Sequence, residues 1–170
     1  MNIPLETILD TERCILRIPK PEDNNCVWTA SRQPGFTDGM TWDPPKTQEE
    51  IEENRQKLLE RWKSGIDYGF SICLKESGEC IGRIAMRKTE KDAVWNVGFW
   101  LHPDFQGKGY MTEALACITD WTFDVLKASS IEAEHATWNT ASGALLKRCG
   151  FTHTGHNPEV PEEEYVLKKP

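Results

Sequence analysis

The chain of 170 residues has no apolar run near the ~20 residues that a membrane-spanning helix requires. It has no basic leader followed by an apolar stretch. MNIPLETILDTER opens on polar and acidic residues, so no secretory signal is expected and a cytoplasmic protein is implied. It has no basic excess either: 20 Lys and Arg stand against 27 Asp and Glu, a net charge of -7. Nucleic-acid binders present a basic face, so neither DNA nor RNA is an expected partner. An acidic surface keeps a protein soluble and also attracts cationic ligands. Six cysteines are present, at 14, 26, 73, 80, 117 and 149, but no two form a C-x-x-C pair. That spacing gives neither a zinc ribbon nor a redox dithiol, and the cysteines read as small buried apolar side chains. Gly155 between His153 and His156 works against a shared helical face, and no metal site is expected. Internal repeats, linkers and low-complexity tracts are also lacking, so residues 1–170 read as one domain.

What is present suits a compact core. Apolar residues make up 38% of the chain, and a chain of this length buries roughly 70% of its unfolded surface on folding. Residues 13–18 read as a strand closed by Pro19 and Pro21, and a short helix is expected at 21–30 with Val27 and Trp28 inward. The proline- and glycine-bearing segment 31–46 reads as loop. Thr47 and Glu50 form an expected capping box opening a helix at 48–63, with Ile51, Leu58, Leu59 and Trp62 on one face. Three strand patterns at 68–75, 79–88 and 94–101 make an antiparallel meander. Leu115, Ile118 and Val125 recur at helical spacing and predict a helix at 109–127. A strand at 130–138, a helix at 140–149 ended by Gly150, and strands from 151 and at 163–169 complete the order. The crossover from 94–101 through the helix to 130–138 should be right-handed and make these two strands parallel. The fold class is therefore α/β with a mixed α+β sheet.

The segment between strand and helix, Gln106-Gly107-Lys108-Gly109-Tyr110-Met111-Thr112, carries the chemistry. Its glycines let the backbone turn tightly, and the helix start offers unpaired N–H groups and a positive dipole end. Such a turn suits a phosphate or pyrophosphate, with Lys108 and the Thr112 hydroxyl as added donors. It is not a Walker A loop. It lacks the third glycine of a dinucleotide fingerprint, where Thr112 stands. ATP and NAD readings therefore fail on spacing.

ECIGRIAM, NVGFWLHPDFQGKGYMTEAL and NTASGALLKRCGF, in this order, resemble the GNAT acetyltransferase superfamily and its RimJ/RimL-like branch. The resemblance covers most of the chain from residue 68 onward, and TERCILRIPKPED fits the branch's first strand more loosely. It implies a single GNAT-like domain whose strands at 94–101 and 130–138 splay apart. It implies acetyl-CoA as co-substrate, with the pyrophosphate on 106–111 and Thr112 adding to the loop. Met111 occupies a position where the family prefers glycine or alanine, and its side chain is expected to point into the helix interface. The pantetheine arm would pair with backbone near Phe99 and Leu101. Asn139 and Ser142 match the family's N-x-x-S. The implied reaction is direct acetyl transfer to a primary amine of a small molecule or of a peptide or protein N-terminus, with Ser142 protonating the departing thiolate. An ammonium is not nucleophilic, so a base is needed. The branch often carries a glutamate where Asn96 stands, and Asn96 can position the amine or a water but cannot be the base. Glu132 and Glu134 share a face that reads as solvated, Asp38, Asp67 and Glu162 to Glu164 are further candidates from loops, and no base is assigned. Trp28, Phe36 and Trp42 belong to the segment that covers the acceptor site in such folds. A fold module that binds acyl-CoA with little turnover is the alternative, and edge strands could pair in a homodimer.

Overall fold

The computed structural model describes residues 2–38, 40 and 43–170. Strands β1 (Leu9–Asp10), β2 (Cys14–Arg17), β3 (Asp67–Leu74), β4 (Cys80–Lys88), β5 (Val94–Leu101), β6 (Ser130–Ala136), β7 (Thr152–Asn157) and β8 (Glu162–Lys168) form one sheet. Helices α1 (Asn24–Ser31), α2 (Gln48–Lys63), α3 (Tyr110–Asp124) and α4 (Thr140–Arg148) flank it. The strand order is β1-β2-β3-β4-β5-β6-β8-β7. Every neighbouring pair is antiparallel except β5–β6, which is parallel as the crossover demands.

Alternation divides the sheet into two faces. Phe70 and Ile72 of β3, Ile84 and Met86 of β4, Val97 of β5 and Ile131 of β6 meet Leu115 and Ile118 of α3 and Leu146 of α4 in the main core. Trp121 of α3 stands edge-on to Tyr68 and Phe70 at 5.7 and 5.6 Å. The other face carries Arg17, Ser71, Cys73, Arg83, Arg87 and Asn96. The Asp23 carboxylate ahead of α1 and Leu58 of α2 pack there, the latter 3.4 Å from where a Cβ on Gly69 would lie. Trp62 locks the C-terminal end of α2 by donating its indole N–H to the Ile3 carbonyl at 2.8 Å.

Most element boundaries match the expectations within two or three residues. The two-residue β1 was not anticipated, because so short a strand carries no readable alternation. The strand expected at 130–138 ends at Ala136, where the Asn139 N–H turns back to the Ala136 carbonyl at 2.8 Å. The helix expected to 127 ends at Asp124, and Lys127 adopts φ 57. Only half of the capping box forms. Thr47 Oγ1 accepts from the Glu50 N–H at 3.2 Å, but Glu50 Oε2 accepts from the Lys46 N–H at 2.8 Å, one residue before the cap.

Candidate functional site

The Gly-bearing turn after β5 opens α3 as the spacing predicts. Gly107 and Gly109 take φ 75 and 86, the left-handed region that favours glycine. The first intrahelical bond runs from the Glu113 N–H to the Gly109 carbonyl at 3.2 Å. The N–H groups of Tyr110, Met111 and Thr112 ahead of it have no carbonyl one turn back to reach. Met111 is buried in the main core, so it offers the turn its backbone and not its side chain. Lys108 is exposed, with its ammonium on the Asp104 carbonyl at 3.1 Å.

One anchor of this turn escaped the sequence reading. Arg13, just ahead of β2, donates from Nη2 to the Lys108 carbonyl at 2.8 Å and from Nε to Glu113 at 2.9 Å. Its guanidinium lies 4.2 Å from the centre of the Tyr110 ring. A cation and a carboxylate one hundred positions apart give no local signal, and only the sheet order brings them together.

β5 and β6 pair over three positions, Val94↔Ser130, Trp95↔Ile131 and Asn96↔Glu132. Beyond that point β5 continues along β4 to Leu101, and β6 continues along β8 to Ala136. Each strand then has a partner on one side only, and the two facing edges open into a wedge. The His102 N–H donates to the Ile81 carbonyl at 2.8 Å. The two-residue alternation of an antiparallel ladder therefore turns Gly98 and Trp100 toward β4 and leaves the backbone of Phe99 and Leu101 facing the wedge. The Leu101 carbonyl is taken by Gln106 Nε2 at 2.9 Å. Gln106 thus ties the end of β5 to the turn, and the Leu101 N–H and the Phe99 backbone remain for an extended ligand.

Asn96 stands at the last paired position, and its side-chain amide donates to both carboxylate oxygens of Glu134, at 3.0 and 2.7 Å. Glu134 is exposed, yet partial desolvation of its carboxyl raises its pKa. The Asn96 amide opposes that rise, and Glu162, Glu132 and Glu164 add to it. Glu134 thus lies on the exposed strand face that the sequence suggested, and it also accepts from Asn96 there. Glu132 is held differently, by Lys91 at 2.6 Å. His135 points to the opposite face, as alternation requires, with its ring beside Tyr165 and Gly143 of α4. Asn139 caps α4 by accepting from the Ser142 N–H at 3.2 Å, and Ser142 occupies the first turn. Phe36 stands edge-on to Trp100 at 5.5 Å, and Arg32 lies over the half-buried Trp28 at 3.9 Å. Trp42 falls outside the described residues.

Cys26 of α1, Cys73 of β3 and Cys80 of β4 look scattered in sequence but converge where α1 meets the sheet. The thiols of Cys26 and Cys73 hydrogen-bond to Cys80, which pulls the Cys80 thiol down and pushes the other two up. Asp23, Cys73 and Cys80 bring one ligand-type atom each within 4.8 Å of one another. Asp23 is already saturated by Arg17 at 2.8 and 3.0 Å, the Lys20 N–H at 2.8 Å and the Ser71 hydroxyl at 2.7 Å.

Residues 13–152 match the family model described as an acetyltransferase (GNAT) domain. The probable N-acetyltransferase YjcK of Bacillus subtilis is 29% identical over 110 residues, and the match covers 62% of this chain and 61% of that protein, less than two thirds of its length. A structure of a putative ribosomal-protein-serine acetyltransferase from Vibrio cholerae superposes with TM-score 0.84 at 22% identity, covering 98% of this chain and all of that one. RimL, a ribosomal L7/L12 alpha-N-protein acetyltransferase solved with coenzyme A, superposes with TM-score 0.84 at 19% identity over 95% of this chain and 98% of that one.

Proposed function

The chain belongs to the GNAT acetyltransferase family, and from that premise we propose that it moves an acetyl group from acetyl-CoA to a primary amine by direct transfer. The observation that carries the reading is the wedge between β5 and β6. Its open backbone edge begins where the parallel ladder ends and leads to the Gly-bearing turn. The pantetheine arm of acetyl-CoA has the amides to complete such an edge, as an added strand would. Gln106, Gly107, Lys108, Gly109, Tyr110, Met111 and Thr112 receive the pyrophosphate on N–H groups, and Phe99 and Leu101 receive the arm. Asn139 fixes the start of α4, which presents Ser142 to the departing sulfur. Asn96 positions the acceptor side of the reaction. The acceptor is a small amine or a peptide or protein N-terminus, and the net charge of -7 favours a cationic one.

Thermal unfolding with and without acetyl-CoA, followed by thiol release with an amine, tests the reading. Ligand at 100 times its Kd stabilises by ~2.7 kcal/mol. For a chain of this size that is roughly 5–10 °C. NAD and ATP should give no shift. Ser142→Ala should keep the shift and lower kcat by about 10²-fold or more, the low end of general-acid contributions. No shift at millimolar acetyl-CoA overturns the reading. A full shift with no thiol release from any amine favours a binding module.

A further inference from the structure

Direct transfer needs a group that takes a proton from the acceptor ammonium, and Asn96 cannot be that group. Resting on the acetyltransferase reading, we propose that Glu134 is this proton acceptor and that Asn96 is the residue that positions it.

The geometry selects Glu134 among the carboxylates that the described residues bring near the wedge. Glu132 is committed to Lys91 at 2.6 Å. Asp67 is buried against Arg61 at 3.1 Å and Arg87 at 3.7 Å. Glu163 is bound to His153 at 2.6 Å on the α4 side of the sheet. Glu162 and Glu164 share the face of Glu134 but lie on β8, one strand farther from β5. Glu134 alone reaches across the wedge to β5, at the residue where the two strands part. A single amide nitrogen serves both of its oxygens, so lone pairs remain on each for an incoming N–H or one bridging water. The amide oxygen of Asn96 is a second acceptor beside them.

The charged groups facing Glu134 come from every neighbouring strand. Glu132 is on its own strand, Glu162 and Glu164 are on β8, and Lys91 precedes β5. On β4, Arg87 lies beneath Gly98, its Nη1 2.6 Å from where a Cβ there would be, and it is shared with Asp67. Desolvation raises the proton affinity of Glu134, Glu162, Glu132 and Glu164 add to it, and the Asn96 amide holds it back. A carboxylate whose proton affinity is raised above the ordinary value is the kind of base that general-base catalysis rewards.

The step balances. The acceptor ammonium gives one proton to the Glu134 carboxylate, directly or through one water. The freed nitrogen lone pair attacks the thioester carbonyl, the C–N bond forms and the C–S bond breaks. A second proton leaves the nitrogen and reaches the departing sulfur through the Ser142 hydroxyl, giving the amide and a free thiol. Glu134 then returns its proton to solvent.

Glu134→Gln tests this with spermidine and with a short lysine-rich peptide bearing a free N-terminus, by thiol release from acetyl-CoA. The variant should keep the acetyl-CoA thermal shift and its Tm, since glutamine can still pair with Asn96. Its kcat/KM at pH 7 should fall by roughly 10²–10⁴-fold. Its rate should climb about tenfold per pH unit up to the pKa of the amine, because only amine already neutral in solution reacts. Wild type should instead level off above the pKa of Glu134. Asn96→Ala should move that acid limb to higher pH, because the amide donation that lowers the carboxyl pKa is lost. A merely structural Asn96 would leave the limb in place. Wild-type rates in Glu134→Gln, or an unmoved profile in both variants, overturn the proposal. So does a wild type that is shifted by acetyl-CoA but acetylates neither probe. Absence of any shift removes the acetyltransferase reading itself, a separate failure.

Discussion

Single side chains show where chain order informs and where it misleads. Asn139 and Ser142 are adjacent members of one helix start, so their cap could be read directly, and it forms. Asn96 and Glu134 are 38 positions apart, and their contact depends on the β5–β6 register. Nothing local in SIEAEHATW tells which of its glutamates also meets an amide across a wedge. Asp23 is a similar case: two consecutive acids before a helix look like dipole partners, yet Asp23 is buried beside Arg17, with side-chain exposures of 2% and 11%. Burial raises its carboxyl, but the Arg17 guanidinium, the Lys20 N–H and the Ser71 hydroxyl outweigh it and hold the pKa below the ordinary value. Asp23→Asn leaves Arg17 buried without a counter-charge and should cost ~3–5 kcal/mol in urea unfolding at pH 7. A folded-state carboxyl pKa below the unfolded one means that this stability is present above about pH 4 and is lost as pH falls through the folded value. The gap between wild type and Asp23→Asn should therefore narrow below pH 4. A gap that stays constant to pH 2 would show that the pair is not the cause.

At the scale of elements, the helix α2 from Gln48 to Lys63 was legible to the residue, because Thr47 caps it and Gly65 stops it in the left-handed region at φ 71. The turn into α3 was legible for the same kind of reason: only glycine meets φ 86 at the N-cap without strain. A Cβ at Gly109 would also come within 3.1 Å of Arg13 Nη2, the atom that holds the turn by the Lys108 carbonyl. Gly109→Ala should cost about 1–2 kcal/mol from backbone strain alone. It should also weaken acetyl-CoA binding, measured by titration calorimetry, because the N–H groups of the turn lose their aim. Unchanged affinity would mean that the turn does not receive the pyrophosphate. The half-formed capping box marks the limit of such reading. The S/T-x-x-E pattern locates the helix start, but the N–H that reaches Glu50 is that of Lys46, one residue before the cap.

Across the whole molecule, charge and topology act together. The four glutamates on the Glu134 face, Glu132, Glu134, Glu162 and Glu164, come from β6 and β8, which are adjacent in the sheet although 26 or more positions separate each strand's members from the other's. With the net charge of -7, these four carboxylates make the β6–β8 end of that face negative. Field effects of this kind are screened over ~10 Å at 0.1 M salt. Raising ionic strength from about 0.01 to 0.3 M should therefore raise the KM for spermidine several-fold and leave its kcat unchanged. A KM indifferent to salt would assign the acidic face to solubility alone.

The sequence by itself determined the elements longer than two residues, their order, the parallel pairing across the crossover and the glycine turn that opens α3. These follow from periodicity, caps and the φ that only glycine adopts freely, all of which act within a few residues. Where β5 and β6 part, which carboxylate Asn96 grips, how Arg13 pins the turn and how three distant cysteines meet were decided by the tertiary structure. Each depends on strand register and on which face a helix covers. Those are settled by burial summed over the whole sheet, and no short stretch of chain carries that sum.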